Sequence, residues 1–305
     1  MSVLFGVDLG GTTVQAIAQD GSDTIAEAQI ATRTGSSDAV VASILDVVDQ
    51  LTGQIDQPAS ALGLGIPGIV DPAAGTVSHA LNLGIGAAFP VARTLGDRLD
   101  GLPVVIENDV RVGAAGAQLH FPGEHPSLVY LGIGTGIAAG VIIDGEIYRG
   151  THGMAGEIGH STFAPSAVTC SCGRTGCLEA IAAGPAISAA WPHGPHAASD
   201  LFEQAAAGSP DAQRVAAPVT EHLAVAIEQL IAIFDPSIVV LGGGVGSSTP
   251  ALRDLLITQF AQMTHNVLIS ESDLDQRLRQ LPAGWPAGAY GAAEIARTTA
   301  NQEKT

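Results

Sequence analysis

Basic residues are scarce in this chain of 305 residues, which carries 12 Lys and Arg against 30 Asp and Glu. The formal net charge of −18 opposes binding to nucleic acid or to an anionic membrane, because the phosphates of both attract positive surfaces. Charged residues make up only 14% of the chain, whereas hydrophobic residues make up 46% and glycine occurs 38 times. This composition predicts a globular protein rich in turns and excludes a disordered one.

Long hydrophobic runs are also missing, because no apolar run reaches the roughly 18 residues that a membrane-spanning helix needs. The first residues, Met1 to Asp8, contain no basic segment ahead of their apolar residues, unlike a secretory signal. We therefore expect a cytoplasmic protein that has no membrane partner.

Cysteine occurs only three times, and all three residues lie in one short segment: Cys170, Cys172 and Cys177. With His160 they supply three thiolates and one imidazole, which is a complete tetrahedral ligand set for a structural zinc ion. Zinc would order the loop that carries these ligands, and bound thiolates agree with a reducing compartment. Three ordinary buried cysteines are the alternative, but randomly placed cysteines would rarely cluster in this way. Glu157 and Glu179 flank the ligands, so the same loop would hold both carboxylates towards a small hydroxylated ligand.

A β-hairpin pattern occurs twice in the chain and predicts an internal duplication. Val3 to Val7 is an apolar run that ends in a glycine turn and continues into a second strand, Val14 to Ala18. The same order returns from Ser127 to Leu131, followed by a glycine turn and a strand from Ala138 to Ile143. The repeat predicts two related halves, and 305 residues are enough for two domains.

Helical and strand patterns alternate through the rest of the chain. Apolar residues at helical spacing predict helices at Ser37 to Leu51, Ala212 to Phe234 and Ala289 to Thr298. Short apolar runs predict strands at Ala61 to Ile66, Pro103 to Ile106 and Ile238 to Leu241. This alternation is typical of an α/β protein with a largely parallel sheet in each half. Residues 184–209 give no clear pattern.

Three glycine-rich turns follow predicted strands, at sheet edges of the kind where nucleotides bind in α/β folds. Glycine lets backbone N–H groups approach phosphate oxygens without a Cβ in the way. None of the turns has the sequence of a Walker-type loop, and each alone could be an ordinary hairpin turn. Asp8 precedes the first turn and offers an oxygen ligand suited to Mg²⁺, through a bound water. The residues assigned to cofactor binding are Asp8, Gly10, Gly11, Thr12, Thr13, Gly134, Thr135, Gly136, Gly243 and Gly244.

Asn108 and Asp109 follow a predicted strand and precede an alanine-rich helical segment. Either side chain could cap that helix, which would stabilise it by about 1 kcal/mol. Asp109 could also be the general base that takes the proton of a substrate hydroxyl as it attacks a phosphoryl group, with Asn108 aligning the hydroxyl. Capping and catalysis do not exclude each other. Gly65 marks either a plain strand end or a flat backbone wall for a sugar.

These motifs resemble those of the ROK sugar kinases, and the match covers nearly the whole chain. Asp8 to Thr12 is similar to the first phosphate motif of the family, Glu107 to Asp109 to its catalytic motif, and Glu157 to Glu179 to its signature and zinc site. The resemblance implies a two-domain α/β protein of the actin-like/hexokinase ATPase fold, which is ribonuclease H-like. The expected N-terminal domain is residues 1–117 completed by a helix at 289–305, and the expected C-terminal domain is residues 118–288.

The resemblance also implies roles for individual residues. Asp109 is the expected general base, while one ring nitrogen of His160 binds zinc and the other contacts the sugar. The implied substrate-binding residues are Gly65, Asn108, Asp109, Glu157, His160 and Glu179. The implied cofactors are ATP, Mg²⁺ and a structural Zn²⁺.

The implied reaction is ATP-dependent phosphorylation of a hexose at its 6-hydroxyl, with glucose as the expected substrate in carbohydrate metabolism. In the loop from Thr76 to Gly86, Ile85 stands near the place where many glucokinases of the family have an aromatic residue. Mannose, fructose and an N-acetylhexosamine therefore stay open as substrates. Polyphosphate is an alternative donor, because both donors would use the same glycine turns. Members of the family often form homodimers, so we expect a homodimer here.

Two other functions are compatible with the same fold. Sugar-responsive transcriptional regulators of the family carry a helix-turn-helix ahead of the first phosphate strand, whereas that strand begins here at Val3. The acidic charge also opposes DNA binding. An actin-like ATPase without a sugar acceptor would leave the zinc segment unexplained. A sugar kinase is therefore the favoured hypothesis.

Overall fold

A computed structural model of the chain describes residues 3–123, 126–163, 168–263 and 269–302. Its contacts divide the chain into two compact units. Unit 1 comprises Met1–Pro122, Arg149–Met154 and Pro286–Thr305, and unit 2 comprises Gly123–Tyr148 and Ala155–Trp285.

The segment Arg149–Met154 is the main difference between these units and the domain division expected from the sequence, which placed it in the C-terminal domain. The guanidinium of Arg149 donates to the carboxylate of Glu107 over 2.6 Å, which ties the segment to unit 1. The other boundaries differ by only a few residues. The end of the expected final helix, residues 303–305, lies outside the described residues.

Helices and strands alternate along most of the described chain. The strands are β1 (Val3–Leu9), β2 (Thr13–Asp20), β3 (Asp23–Ala31), β4 (Ala59–Ile66), β5 (Ile69–Asp71), β6 (Thr76–Ser78), β7 (Val104–Asn108), β8 (Leu128–Ile133), β9 (Ile137–Ile143), β10 (Glu146–Ile147), β11 (Ile238–Gly242) and β12 (Leu278–Gln280). The helices are α1 (Ser37–Thr52), α2 (Val91–Arg98), α3 (Asp109–His120), α4 (Leu178–Ala182), α5 (Gly184–Ala190), α6 (Ala197–Ala206), α7 (Pro210–Phe234), α8 (Gly243–Ser248), α9 (Pro250–Met263), α10 (Glu271–Arg277) and α11 (Ala287–Gln302). Short 3-10 helices cover Leu81–Leu83 and Ile158–His160. The predicted α/β class is confirmed.

The sheet of unit 1 has the strand order β3-β2-β1-β4-β7. Strand β1 pairs antiparallel with β2 and parallel with β4, and β4 pairs parallel with β7. Helix α1 covers this sheet with the apolar face that its spacing predicted, and the side chain of Ser36 caps it by accepting from the Ala39 N–H. The predicted strand at Pro103 to Ile106 runs further than expected, because β7 includes Glu107 and Asn108.

Helix α11 returns to unit 1 from the other end of the chain and packs on β1, β4 and α3. Glycine makes this close approach possible. A Cβ on Gly63 would lie 1.7 Å from the carbonyl oxygen of Ala292, and one on Gly116 would lie 1.9 Å from that of Ala287. Helix α11 is therefore part of the core of unit 1.

The sheet of unit 2 repeats the plan of unit 1, with the order β10-β9-β8-β11-β12. Strand β8 pairs antiparallel with β9 and parallel with β11, which pairs parallel with β12. The equivalence extends to single positions, because Asp8 pairs with Gly65 in unit 1 and Gly132 pairs with Gly242 in unit 2. Each of Asp8 and Gly132 is the last residue but one of its central strand. The predicted internal duplication is confirmed.

Helix α7 is the one described helix long and apolar enough, on length and composition alone, to cross a membrane. The sequence expectation concerned uninterrupted apolar runs, and charged residues such as Glu221 and Glu228 interrupt this helix. Ten of its 25 residues are buried in unit 2, where it packs against α4, α6 and α9. Buried core helices pass the same length and composition test, so this helix is weak evidence for a membrane partner.

Candidate active site and metal site

Two carboxylates meet at one edge of the sheet of unit 1. Asp8 lies near the end of β1, and Asp109 is the first residue of α3, which follows β7 directly. Burial raises the pKa of Asp8 to about 8, and the negative charge of Asp109 acts in the same direction. The two side chains are thus close enough to interact, and a divalent cation bound at this edge would favour the ionised form of both.

Backbone from two other elements surrounds the carboxylate of Asp8. A Cβ on Gly65 would lie 3.3 Å from Asp8 Oδ1 and 2.4 Å from Val112 Cγ2. A Cβ on Gly288, in the first turn of α11, would lie 2.1 Å from Asp8 Oδ2. Gly65 therefore has a packing reason to be glycine that does not involve a sugar. The N-terminus of α11 favours the anionic form of Asp8 and so works against the effect of burial.

Asn108 caps helix α3, as one of the two interpretations of the sequence expected. Its Oδ1 accepts a hydrogen bond from the backbone N–H of Val110 over 3.1 Å, and its Nδ2 donates to the carbonyl of Gly68 over 3.3 Å. These bonds fix the side chain and the entry of the chain into α3. Asp109 follows in the first helical turn, where the aligned backbone N–H groups stabilise a carboxylate.

The first glycine turn, Gly10 to Thr13, joins β1 to β2 in unit 1. The Gly10 N–H donates to the carbonyl of Thr13 over 2.9 Å, and the Thr32 hydroxyl donates to the carbonyl of Gly10 over 2.8 Å. Thr12 is exposed at the tip of the turn. The turn is thus held by one bond within it and one from Thr32, and Thr12 is its exposed residue.

In unit 2 the second glycine turn, Gly134 to Gly136, lies against two other segments. The Gly184 N–H donates to the Gly134 carbonyl over 2.8 Å. A Cβ on Gly134 would lie 3.7 Å from the backbone nitrogen of Gly244. The structure therefore brings together the residues expected to bind phosphates in unit 2, and it adds Gly184, which the sequence pattern did not identify.

The third glycine segment is a helix and not the expected turn. Gly243 starts α8 directly after β11, with a positive φ of 77°. A Cβ on Gly243 would lie 2.6 Å from the carbonyl oxygen of Ile133. Glycine is needed here for both reasons, while Gly244 is exposed and has open space beside it. Consecutive glycines predict a turn from propensity alone, but packing against β8 overrides that preference.

The four residues expected to bind zinc lie together in unit 2. The ligand atoms of His160, Cys170, Cys172 and Cys177 all lie within 4.8 Å of one another. The Sγ atoms of Cys172 and Cys177 are 3.6 Å apart, as are Cys170 Sγ and His160 Nδ1. Tetrahedral ligands of zinc are about 3.8 Å apart when each Zn–S bond is about 2.3 Å. The donor set and its spacing thus fit Zn²⁺, with Nδ1 of His160 as the nitrogen on the metal side.

Arg174 lies between Cys172 and Cys177 and lowers the pKa of the Cys172 thiol. Its backbone N–H and its guanidinium lower the pKa of the exposed Cys172 thiol to about 6, whereas burial raises that of Cys177 to about 12. The guanidinium also donates to the carbonyl of His160 over 2.5 Å. Arg174 therefore favours the thiolate form of Cys172, which is the form that binds a metal.

Glu179 connects the cysteine loop with the second glycine turn. Its Oε1 accepts from the Ser171 hydroxyl over 3.1 Å, and its Oε2 accepts from the Ile137 N–H over 3.2 Å. A Cβ on Gly136 would lie 2.6 Å from Glu179 Oε2. The carboxylate of Glu179 is held by these bonds, whereas Glu157 is exposed before the 3-10 helix that carries His160.

Comparison with known proteins decides the family. The family model described as the ROK family matches residues 4–299. The chain belongs to the ROK family. It is 31% identical over 271 residues to a glucokinase from Halalkalibacterium halodurans, covering 81% of this chain and 82% of that protein. An N-acetylmannosamine kinase from Yersinia pestis is also 31% identical over 261 residues, covering 83% of this chain and 87% of that protein.

A ROK family glucokinase from Streptomyces griseus, solved in complex with glucose and AMPPNP, has the same fold. It is 27% identical, covers 97% of this chain and 100% of its own, and has a TM-score of 0.80. These matches confirm the predicted family, the actin-like/hexokinase ATPase fold and the prediction of an enzyme of the sugar kinase class.

Several residues around the ROK motifs were not singled out from the sequence. Gly288 and Gly184 are single glycines outside the motifs, and nothing in their local sequence marks them. Arg149 and Arg111 contact Glu107 in unit 1, and Arg149 lies 42 positions away along the chain. Only the fold shows such a pairing, because the sequence gives no distance between remote residues.

Proposed function

We propose that this ROK enzyme transfers the terminal phosphoryl group of ATP to the 6-hydroxyl of glucose. The observation that carries the proposal is the pair of carboxylates at one sheet edge, Asp8 in β1 and Asp109 at the start of α3. Phosphoryl transfer needs a base beside the attacking hydroxyl and a metal at the phosphates. One carboxylate is available for each task.

Asp109 is the proposed general base. As the 6-oxygen of the sugar attacks the γ-phosphorus, the hydroxyl proton passes to the Asp109 carboxylate and ADP leaves with the electrons of the broken P–O bond. Asn108 would align the sugar. Gly65, on the neighbouring strand β4, would offer it a backbone surface without a side chain. Asp8 is the proposed partner of Mg²⁺, through a bound water, and the metal would neutralise charge on the phosphates.

The residues of unit 2 complete the proposal. The exposed glycine segments have backbone N–H groups suited to phosphate oxygens, and Thr135 and Gly244 are accessible there. The proposed sugar ligands in this unit are Glu157, His160 and Glu179. His160 turns Nδ1 towards the cysteines, so Nε2 is left for a sugar hydroxyl. Zinc, when bound, would fix the loop that carries these groups.

N-acetylmannosamine is the second candidate substrate. The N-acetylmannosamine kinase from Yersinia pestis has the same 31% identity to this chain as the glucokinase from Halalkalibacterium halodurans. Mannose and fructose are the remaining hexoses of the proposal, and polyphosphate is the alternative donor. A transcriptional regulator is less well supported, since both curated relatives named above are kinases. We further propose a cytoplasmic homodimer without a nucleic-acid partner, which light scattering on the purified protein would test.

A matrix of sugars against donors tests the proposal. Glucose, mannose, fructose, N-acetylglucosamine and N-acetylmannosamine are each assayed with ATP and with polyphosphate, by following formation of the phosphosugar. We expect the highest kcat/KM with glucose and ATP. Asp109→Asn should lower kcat by about 10²- to 10⁴-fold. Asp97→Asn is the matched control, because Asp97 is an exposed carboxylate of unit 1. Full activity of Asp109→Asn would remove the proposed base.

A further inference from the structure

Glu107, the residue before the Asn108–Asp109 pair, is a buried carboxylate that accepts hydrogen bonds from three donors. Its side chain is 1% exposed. Oε1 accepts from the Asn108 backbone N–H over 2.9 Å and from Arg111 Nη1 over 3.3 Å, and Oε2 accepts from Arg149 Nε over 2.6 Å. A carboxylate bonded on both oxygens, by two guanidinium groups and a backbone N–H, is held in one orientation.

The first of these bonds acts on the turn that carries the proposed base. Asn108 is both the acceptor of the α3 cap and the residue whose N–H Glu107 fixes. Asp109 follows directly, so its Cα position depends on the peptide plane that Glu107 holds. Rotation of the Glu107 carboxylate would therefore move the first turn of α3.

The other two donors to Glu107, Arg149 and Arg111, connect it to the segment Arg149–Met154. Arg149 begins the segment Arg149–Met154, and Arg111 Nη2 donates to the carbonyl of Gly153 in the same segment over 2.6 Å. The segment is thus fastened twice, at Arg149 by Glu107 and at Gly153 by Arg111. Gly150 and Gly153 both have a positive φ of 69°, which lets the chain bend between these two attachments.

We propose that Glu107 and Arg149 act as a positioning pair that sets the orientation of Asp109 for phosphoryl transfer. The inference rests on the proposed role of Asp109 as the base. Arg149 fixes Oε2 of Glu107, and Oε1 then keeps the N–H of Asn108 in place. Neither residue touches the sugar or the donor in this scheme, so they act on the rate of the chemical step and not on binding.

The experiment is a double-mutant cycle with Arg149→Met, Glu107→Gln and the double variant, each measured for kcat, for KM of sugar and ATP, and for unfolding temperature. Arg93→Met is the matched control, because Arg93 also pairs with a carboxylate of unit 1 but is 85% exposed. Arg149→Lys keeps the charge and provides a conservative comparison. The side chain of Arg149 is 42% exposed, so its replacement leaves the core of unit 1 filled.

We expect Arg149→Met to lower kcat by about tenfold to a hundredfold through displacement of the base, with both KM values close to wild type. Arg149→Lys should lose less, and Arg93→Met should match the wild type. The double variant should have the kcat of Glu107→Gln alone, because Arg149 acts only through Glu107. If Glu107→Gln does not fold, the comparison of Arg149→Met, Arg149→Lys and Arg93→Met still decides.

Wild-type kcat in Arg149→Met, or losses that multiply in the double variant, would overturn the inference. So would a rise of KM with unchanged kcat, since that result assigns Arg149 to binding. These outcomes differ from a failure of the proposed function, in which the wild-type protein phosphorylates no sugar or Asp109→Asn keeps full activity.

Discussion

The two sheets share a strand order but differ in the chemistry of the same edge. At equivalent positions near the ends of the central strands, unit 1 has Asp8 and unit 2 has Gly132. In the fifth strand, Glu107 pairs with Gly65 in unit 1. The residue of unit 2 equivalent to Glu107 is Leu281, which comes directly after Gln280, the partner of Leu241. The Leu281 N–H donates to the carbonyl of Leu241. One edge therefore carries carboxylates where the other carries glycine and leucine.

This difference indicates how one duplicated scaffold can serve two tasks. A carboxylate beside a chain of phosphates repels it, whereas backbone N–H groups without side chains attract it. A base and a metal partner, in contrast, must be carboxylates or similar groups. The predictions below remove or displace a carboxylate at the edge of unit 1, add one to the edge of unit 2, or remove a candidate metal ligand that only unit 2 has.

Asp8→Asn should have the largest effect, because it removes the carboxylate that a bound divalent cation would keep ionised, without changing the shape of the unit 1 edge. We expect kcat to fall by about 10²- to 10³-fold, as it does on loss of one electrostatic group at a reacting centre. Steady-state assays over a range of Mg²⁺ concentrations would measure it. Activity equal to wild type would show that the carboxylate at this edge does not take part in the reaction.

The same substitution should change how stability depends on pH. The pKa of Asp8 is raised to about 8 in the folded chain, so the folded protein holds a proton that the unfolded chain has lost above about pH 4. Stability relative to Asp8→Asn is therefore greatest at low pH and falls as pH rises towards 8. The test is to measure the unfolding temperatures of both proteins without divalent cations from about pH 5 to about pH 9. The advantage of the wild type over Asp8→Asn should shrink as the pH rises.

Gly288→Ala should have a smaller but clear effect, since it pushes on Asp8 without removing it. The new Cβ would lie 2.1 Å from Asp8 Oδ2, so the carboxylate or α11 must shift. We expect a loss in kcat of about tenfold or more. Gly53→Ala is the control, because its added Cβ makes only ordinary contacts, the nearest being the carbonyl oxygen of Asp49 at 3.5 Å. A similar loss in both variants would contradict the steric explanation.

Gly244→Asp introduces a carboxylate into the glycine segment of unit 2. The position is exposed and a Cβ meets nothing within 4 Å, so the charge is the main change. We expect KM for ATP to rise by about tenfold, which corresponds to about 1.4 kcal/mol. Gly244→Asn, which has the same size and no charge, should change KM much less. Equal KM values for the two variants would argue against phosphate binding at this segment.

Cys172→Ser should have the smallest effect on catalysis and act on the metal loop, which has no cysteine counterpart in unit 1. The purified wild type should contain about one zinc ion per chain by elemental analysis, and the variant much less. Loss of the metal should lower the unfolding temperature by about 2–4 °C for each kcal/mol of lost stability. Chelation followed by added zinc should restore the wild type but not Cys172→Ser. Metal-free wild-type protein of normal stability would refute the zinc assignment.

Buried elements were predictable from the sequence because their patterns are local. Strands such as β8 and β11 are buried along their whole length, and continuous apolar runs mark them. Strand β3 was missed because it is an edge strand whose alternate residues, including Asp23 and Glu27, are exposed. Helices α5 and α6 were missed because proline, glycine and histidine lie around and between them.

The candidate site was predictable where its chemistry is concentrated in one stretch of sequence. The cysteines and His160 lie close in sequence and also in space, so their spacing alone indicated a candidate metal site. The surroundings of Asp8 were not predictable, because Gly288 reaches it from the other end of the chain. The same limit hid the pairing of Glu107 with Arg149, which depends on how a separate segment folds back.

The return of α11 has a consequence for how the protein is made. Asp8 leaves the ribosome early, but Gly288, which encloses its carboxylate, is synthesised 280 residues later (288 − 8). At roughly 5–20 residues per second, this delay is on the order of tens of seconds. Until unit 2 has been translated, unit 1 lacks α11, and the surface of β1, β4 and α3 on which α11 packs is uncovered. The surroundings of the Asp8 carboxylate are therefore complete only after Gly288 has been synthesised.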